Sequence, residues 1–376
     1  MSTPAPTKPT PSAKSAPPAP GSSGRTRRAP SAGGSSAISK YGLVVFLVVL
    51  FVIFSALRPT SFPTFLNIIG ILNQQSVIVL AGLAVLLTLT VGEIDLSIAA
   101  NASVANTLVV GLGIYQHVPL WLSVILSILA STIIGFVNGL IVTRFRVPSF
   151  VATLGMATLL QGLVQLYTGG VDIVEPPAGL TAIARTAPFG IPLSIIYAIV
   201  VGIVVHFVLN HMALGRKMLA IGGNAKAAGL TGIPVQSYRV MAFTVGGVLG
   251  GVAGVVLGSQ IGSASVQGNQ DLLLPIFAAA FLGSTVLFPG RFNVPGTVVA
   301  VLFLAVTVSG LVQLGVAPWV QPVFDGATLI AAVAVSGWGA RSRAARARRE
   351  QISATAQQVA AGDSPPATDV VSGEPA

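Results

Sequence analysis

The sequence predicts an all-α, polytopic membrane protein with about ten transmembrane helices and both termini in the cytosol. Of its 376 residues, 53% are hydrophobic and only 8% are charged, whereas a soluble domain carries roughly a quarter charged residues. The chain also contains a series of apolar runs close to the roughly 20 residues that a helix needs to cross the hydrocarbon core. Finally, its Lys and Arg residues are unevenly distributed. Together these observations predict a helical bundle within a lipid bilayer.

Ten apolar runs follow one another along the chain. The first is interpreted as an uncleaved span and not as a signal peptide, because its charged leading region is too long and no cleavage site of small residues follows it. Each of the others has the length of one membrane crossing. The predicted spans cover residues 41–57, 66–91, 94–115, 119–143, 147–170, 191–210, 238–260, 271–288, 294–315 and 318–338.

The basic residues predict the orientation, because translocated loops are poor in Lys and Arg. With the N-terminus in the cytosol, 18 of the 20 Lys and Arg lie on the cytosolic side, and only Arg58 and Arg185 lie outside. Many belong to two predicted cytosolic tails: residues 1–40, which are basic, rich in Pro and Ser and disordered, and residues 339–376, which are basic at first and then disordered. The formal charge of +10 therefore reflects orientation and predicts no nucleic-acid partner.

The chain is not expected to be an enzyme. It has no Cys, and its three His (His117, His206 and His211) are not spaced as metal ligands. It also lacks the Gly-x-x-x-x-Gly-Lys-(Ser/Thr) loop that binds nucleotide phosphates. We therefore expect no catalytic residue, no metal and no cofactor, and any ATP hydrolysis must take place in a partner.

A polar interruption at residues 92–97 separates the second and third predicted spans. Asp95 has two interpretations here. It is a helix N-cap whose carboxylate accepts backbone N–H groups, or it belongs with Glu93 and Ser97 to a break that lines a transport pathway. Two further polar residues, on the third and fifth spans, are candidates for the same pathway or for hydrogen bonds between helices: Asn101 and Gln161.

The seventh predicted span carries a stripe of glycines four residues apart. Small residues at this spacing let two helix backbones approach closely, and they mark contact faces in membranes. We interpret the contact first as one within the chain and second as an interface between subunits. The stripe consists of Gly246, Gly250, Gly254 and Gly258.

The longest external loop covers residues 171–190 and contains several prolines, which make it stiff. It is either a solvated connector or a docking surface for a molecule that arrives from outside. As a docking surface it would act through its charged residues, which are Asp172, Glu175 and Arg185.

The cytosolic segment 212–237 is predicted to contain a short helix over residues 225–230. Asn224 is a good N-cap for this helix, and Gly232 is expected to end it. The helix is built from small residues and has too little apolar surface to belong to a core. We therefore interpret it as an element that docks into a partner.

Three stretches of the chain resemble the membrane-spanning permeases of bacterial ABC importers, in the branch that includes ribose, xylose, arabinose and galactose permeases. Residues 92–97 are similar to that branch's Gly-x-Ile-Asp-Leu-Ser run. Residues 138–155 resemble its Asn-Gly…Val-Pro-x-Phe-(Ile/Val)-x-Thr-Leu-Gly stretch, and residues 215–233 resemble its coupling loop. The similarity covers roughly residues 60–338.

The resemblance implies a type II ABC importer-like permease fold over residues 41–338, in the bacterial plasma (inner) membrane, that imports a monosaccharide or similar small polyol. It implies three partners: a separate ABC ATPase subunit, an extracytoplasmic sugar-binding protein, and a second permease copy in a homo- or heterodimer. The short cytosolic helix would then be a coupling helix in a cleft of the ATPase. The positions at that contact would be Asn224, Ala227, Ala228, Gly229, Gly232 and Ile233.

Two alternatives stay open. A permease of the same superfamily for nucleosides or branched-chain amino acids fits residues 92–97 less well. An ion-coupled secondary transporter or a channel needs buried titratable groups. Besides Glu93 and Asp95, only Asp271 and Asp325 lie near predicted spans, and both are expected at span ends.

Overall fold

The fold is that of a computed structural model, which describes residues 33–267, residues 270–335 and the single residue 353. Apart from residue 353, the predicted C-terminal tail lies outside these residues, as do residues 1–32 of the predicted N-terminal tail. The predicted disorder of both tails therefore stays a prediction there.

Within the described part of the chain, the regular structure is helical apart from an isolated bridge between Ile173 and Ala264. Eight helices there are long and apolar enough to cross a membrane, and two shorter apolar helices occupy the eighth and tenth predicted spans. The predicted all-α, polytopic fold is confirmed. The helices are α1 (Gly33–Leu57), α2 (Phe65–Thr90), α3 (Ile98–Tyr115), α4 (Leu120–Arg144), α5 (Ser149–Thr168), α6 (Leu180–Arg185), α7 (Leu193–His211), α8 (Ala213–Gly223), α9 (Ala225–Leu230), α10 (Val235–Ile261), α11 (Leu273–Gly283), α12 (Val294–Gln313) and α13 (Val320–Val335).

Proline marks the start of four helices. Pro119, Pro148, Pro192 and Pro234 directly precede α4, α5, α7 and α10. Proline is tolerated at a helix start because the N–H that it lacks would have no partner within the first turn. These signals explain why the predicted boundaries of these spans lie within a few residues of the observed ones.

The first helix begins earlier than predicted. α1 starts at Gly33, so residues 33–40 of the predicted disordered tail are helical. After Pro30 the chain has no further proline until Pro59, so no proline interrupts the helix between these two positions.

The eighth span is shorter than predicted. Helix α11 has 11 residues, where the apolar run indicated residues 271–288. It ends because Gly283 packs directly against the start of α12, and a Cβ at Gly283 would lie 2.6 Å from Thr297 Cα. Asn293 then donates its Nδ2 to the Gly283 carbonyl at 3.1 Å, and the Val286 N–H donates to the same carbonyl at 3.3 Å.

Helices α2, α3, α10 and α12 form the centre of the bundle. From Ser76 to Thr90, α2 is buried at every position except Ile78. Helix α10 packs against α2, α3 and α4, while α12 packs against α1, α2 and α11. The outer helices expose apolar side chains such as Val45 on α1 and Leu163 on α5, as expected of a surface that faces lipid.

The glycine stripe of α10 lies inside this bundle. A Cβ at Gly250 would lie 2.9 Å from Ile98 Cδ1, and one at Gly254 would lie 2.7 Å from Ala105 Cβ, both on α3. The stripe is thus placed at contacts within the chain. Its other two members face α3 and α2: Gly258 and Gly246.

Candidate functional site

The interruption between α2 and α3 is a compact turn at residues 91–97 that is buried in the bundle. Gly92 has a φ of +81°, a conformation that residues with a Cβ rarely adopt. The residues Glu93, Asp95 and Ser97 are each less than a tenth exposed. These three candidate pathway residues therefore lie together.

Asp95 holds the start of α3. Its Oδ1 accepts the backbone N–H of Ser97 at 2.9 Å and the Ser97 hydroxyl at 2.6 Å. Asn138 of α4 donates its Nδ2 to the same Ser97 oxygen at 2.8 Å. Ser97 itself occupies the N-cap position of α3. Asp95 therefore closes the turn just before the helix, and it anchors the hydroxyl that joins α3 to α4.

The first turn of α5 satisfies the backbone of this turn. The N–H of Ile94 donates to Ser149 Oγ at 3.2 Å, and the N–H of Leu96 donates to Thr153 Oγ1 at 3.0 Å. Buried backbone N–H groups need such partners, because leaving one unpaired costs free energy. Two of the three stretches that carry the sequence resemblance therefore meet in space.

The same turn contacts the cytosolic segment. Gly222 of α8 packs so closely on the Thr90 carbonyl that a Cβ would overlap it, and Gly92 lies beside Gly222. Glu93 forms an ion pair with Arg239 of α10, with 2.9 Å between Oε1 and Nε. All three stretches thus converge at one end of the bundle, which the Lys and Arg distribution assigns to the cytosolic side.

The cytosolic segment forms the short helices α8 and α9. As predicted, α9 covers Ala225–Leu230 and Asn224 is its N-cap, with its Oδ1 accepting the Ala227 N–H at 3.0 Å. Gly232 follows with a φ of +82°, which lets the chain turn back toward α10. The interpretation of this helix from sequence is confirmed in its bounds and its cap.

The six residues predicted to contact an ATPase do not share one surface. Ala228 is only 5% exposed and packs into the core of the permease, whereas Leu230 is 91% exposed. Leu230 was not among the six, although it is the largest apolar residue of this helix. Ile233 is half-buried, and the other four are exposed: Asn224, Ala227, Gly229 and Gly232.

Asn101 and Gln161 do not join the cluster at the turn. Asn101 lies in the first turn of α3 and donates its Nδ2 to the Ser131 carbonyl of α4 at 3.2 Å. Gln161 lies on α5 and donates its Nε2 to the Val266 carbonyl at 3.0 Å. Asn101 thus joins α3 to α4, whereas Gln161 joins α5 to the segment that follows α10.

Two of the three charged residues of the external loop hold it against the end of α10. Arg185 donates its Nε and Nη2 to the Gln260 carbonyl at 3.1 and 2.6 Å. Asp172 Oδ1 accepts the N–H of Val266 at 2.6 Å. Glu175 is exposed, and of the three it is the one that these contacts leave available for docking.

A cavity of about 760 Å³ lies at the opposite end of α2, between α2, α12 and α13. Residues of each helix line it at helical spacing, as Ser309 and Gln313 do on α12 and Gln321 and Asp325 do on α13. Most of its polar lining consists of amides and hydroxyls. Asp325 is the one charged residue among the described residues that line it.

The interpretation of the sequence missed this cavity, although α2 carries a signal for it. Residues 73–76 are four consecutive polar residues within an otherwise apolar span. Asn73 and Ser76 face α10, where Gln260 Nε2 donates to the Asn73 carbonyl at 2.7 Å and to Ser76 Oγ at 3.0 Å. The two residues between them line the cavity instead: Gln74 and Gln75.

We expect Asp95→Ala to lower the free energy of unfolding by about 2 kcal/mol, because it leaves the buried Ser97 N–H without its acceptor. Asp95→Asn keeps an oxygen in place and should unfold near the wild-type temperature. Thermal unfolding of the full chain in lipid nanodiscs measures both. Equal destabilisation by the two variants would contradict this role. Loss of transport in a folded Asp95→Asn variant would show that the carboxylate does more than hold the turn.

A bundle of apolar helices, with a cavity lined in part by polar side chains at one end and a short exposed helix at the other, is the arrangement expected of a membrane transport permease. The chain belongs to the family described as branched-chain amino acid transport system / permease component, whose model matches residues 67–333. This membership confirms the predicted class, the permease of an ABC importer, and its place in the inner membrane. No solved structure matches the chain.

Several relatives have named activities. The chain is 33% identical over 297 residues to the ribose import permease protein of Bacillus subtilis, covering 78% of this chain and 92% of the relative. It is 30% identical to a probable ABC transporter permease protein of Escherichia coli, covering 79% and 89%. It is 29% identical to the D-allose transport system permease protein of Escherichia coli, covering 79% and 91%.

Proposed function

We propose that the chain forms the membrane pathway of an ATP-driven importer for a monosaccharide or a similar small polyol. The polar cavity at the external end of α2 is the observation that carries this proposal. A neutral polyhydroxy molecule needs several hydrogen-bond donors and acceptors, which amides and hydroxyls supply, and it needs no cationic counterpart. The named substrates of two relatives, ribose and D-allose, are of this class.

The energy for transport would come from a separate ATPase subunit. Helix α9 suits the contact because it is short and offers the exposed Leu230 to an apolar cleft. Its partner helix α8 carries Gly222, which touches the end of α2, so a movement of the docked segment reaches the pathway helix directly. Glu93, Asp95 and Ser97 would stabilise the turn that receives this movement.

Two further partners complete the proposed complex. A second permease copy would pair with this one, and an extracytoplasmic binding protein would deliver the solute to the external face. On that face Glu175 is exposed, as are Val174 (72%) and Phe189 (102%). Exposed apolar side chains beside a charge form the kind of surface on which a soluble protein docks.

Import of branched-chain amino acids is the second candidate function, because the family description names it. An amino acid carries a carboxylate, which in a protein site is usually held by Arg, Lys or backbone N–H groups. The described residues that line the cavity include no Arg, Lys or His, and they include an acid. The lining therefore offers no cationic side chain to the carboxylate of an amino acid, and only its ammonium group would pair with Asp325.

Reconstitution of the permease with its ATPase and binding protein in proteoliposomes tests the proposal. We expect ATP-dependent uptake of radiolabelled D-ribose or D-allose, which falls to background when the ATPase is omitted. Uptake driven by a proton or sodium gradient without ATP would contradict the importer. Uptake of L-leucine in place of the sugars would favour the second candidate.

A further inference from the structure

We propose that the cavity at the external end of α2 is a solute-binding site on the permease itself, in which Asp325 anchors a neutral polyhydroxy molecule. The proposal rests on the proposed function, because it names the part of the pathway that selects the solute. It adds a specificity-determining residue to a complex whose selectivity would otherwise come from its binding protein alone.

Asp325 has no structural partner in the described part of the chain. It lies in the second turn of α13, not at a span end as the sequence suggested, and it lines the cavity while being only 5% exposed. Neither an ion pair nor a hydrogen bond from the described residues reaches its side chain. An acid within a membrane domain is costly unless it faces water or a partner. The cavity therefore supplies the water or the bound solute that Asp325 contacts.

Six of the other polar side chains of the cavity fall into two groups. Ser61 donates its hydroxyl to Gln313 Oε1 at 2.9 Å, and Gln313 Nε2 donates to Asn67 Oδ1 at 2.9 Å. This chain of hydrogen bonds joins α2 to α12 and fixes the outer rim. The second group makes no hydrogen bond to the described residues and is free to bind a solute: Gln74, Gln75 and Gln321.

A carboxylate flanked by amides is suited to form hydrogen bonds with adjacent hydroxyl groups of a solute. Each oxygen of the Asp325 carboxylate accepts hydroxyl protons, while each glutamine both donates and accepts. Hydrogen bonds to a charged acceptor are roughly twice as strong as neutral ones, so Asp325 would be the strongest single contact. The volume of about 760 Å³ lies within the usual range for small-molecule sites and leaves room for a monosaccharide with water.

Thiol labelling tests the site directly, because the chain has no Cys and single substitutions have no background. Full-length Gln74→Cys and Gln321→Cys permeases in right-side-out vesicles are treated with impermeant methanethiosulfonates, one cationic (trimethylammonium-ethyl) and one anionic (sulfonatoethyl). Each labelling rate is divided by the rate at which the same reagent reacts with a free thiol in solution, so that the two reagents can be compared. We expect labelling from outside, about tenfold faster with the cationic reagent, which corresponds to about 1.4 kcal/mol. The matched control Leu83→Cys, buried on the same helix, should stay unlabelled.

Adding Asp325→Asn to each Cys variant should remove the preference for the cationic reagent and leave labelling itself intact. D-ribose in excess should slow the labelling of Gln321→Cys at least about threefold, a change of about 0.65 kcal/mol, and L-leucine should not. The proposal is overturned by absent labelling at both positions, by a charge preference that survives Asp325→Asn, or by equal rates with and without D-ribose.

The labelling experiment needs neither ATP nor a partner, so its failure is distinguishable from that of the proposed function. If D-ribose protects against labelling but ATP-driven uptake is absent, the proposed binding site is supported and the proposed importer function is contradicted. If D-ribose is taken up with ATP but neither Cys variant is labelled, the importer function is supported and the solute does not pass through this cavity.

Discussion

Replacing Leu230 with glutamate is expected to reduce ATP-driven uptake to background while the membrane domain stays folded. Leu230 is 91% exposed, so it contributes almost nothing to the core of the permease. If α9 docks into an ATPase cleft, the side chain becomes buried there, and an unpaired charge at that place is costly. Loss of an interface anchor typically costs about 2 kcal/mol or more, which is about thirtyfold in affinity. Copurification of the ATPase and uptake into proteoliposomes measure the effect.

Two variants serve as controls for Leu230→Glu. Leu230→Met keeps an apolar side chain of similar volume and should transport near the wild-type rate. Ala228→Glu places the same charge two residues earlier, where the side chain is buried in the permease, so it should lower the thermal stability of the chain itself. Unchanged uptake by Leu230→Glu would show that α9 is not the docking element.

Replacing Gly254 with leucine is expected to prevent the membrane bundle from packing. A Cβ at this position would overlap the Ala102 carbonyl and lie 2.7 Å from Ala105 Cβ, so α10 could not approach α3. Overpacking in a core costs about 1–3 kcal/mol and occasionally more, and here the obstacle includes backbone that cannot rotate away. The yield of monodisperse protein and its unfolding temperature in detergent report the loss.

Gly162→Leu is the matched control for Gly254→Leu. Gly162 also lies in the middle of a membrane helix, but it is exposed on α5 and a Cβ there would meet nothing within 4 Å. A leucine at a lipid-facing position should leave yield and unfolding temperature near the wild-type values. Equal losses in both variants would mean that the glycine stripe matters for backbone flexibility and not for close packing.

Much of the fold follows from local sequence signals. Apolar length predicts the spans, and prolines such as Pro148 mark where helices begin. Asn224 predicts the cap of α9. The exceptions depend on long-range contacts: α11 ends at Gly283 because that residue meets the start of α12, which no local pattern indicates.

The candidate sites were predictable only in part. The turn that holds Asp95 stands out in the sequence because polar residues interrupt two apolar runs. The cavity does not, because it forms where one face each of α2, α12 and α13 meet, and those helices are far apart in the chain. Burial is equally hard to predict in a short helix, because the small Ala228 is buried whereas the larger and more apolar Leu230 is exposed.

Helix α2 connects the two ends of the membrane domain. It has 26 residues, which at 1.5 Å per residue is about 39 Å. Gly222 touches it near Thr90, and Asn67 lines the cavity near its other end. If the helix tilted as a rigid rod about its midpoint, a tilt of about 5° would displace its two ends by roughly 1.7 Å in opposite directions. Under such a tilt, a narrowing of the bundle at the cytosolic end would be coupled to a widening at the external end.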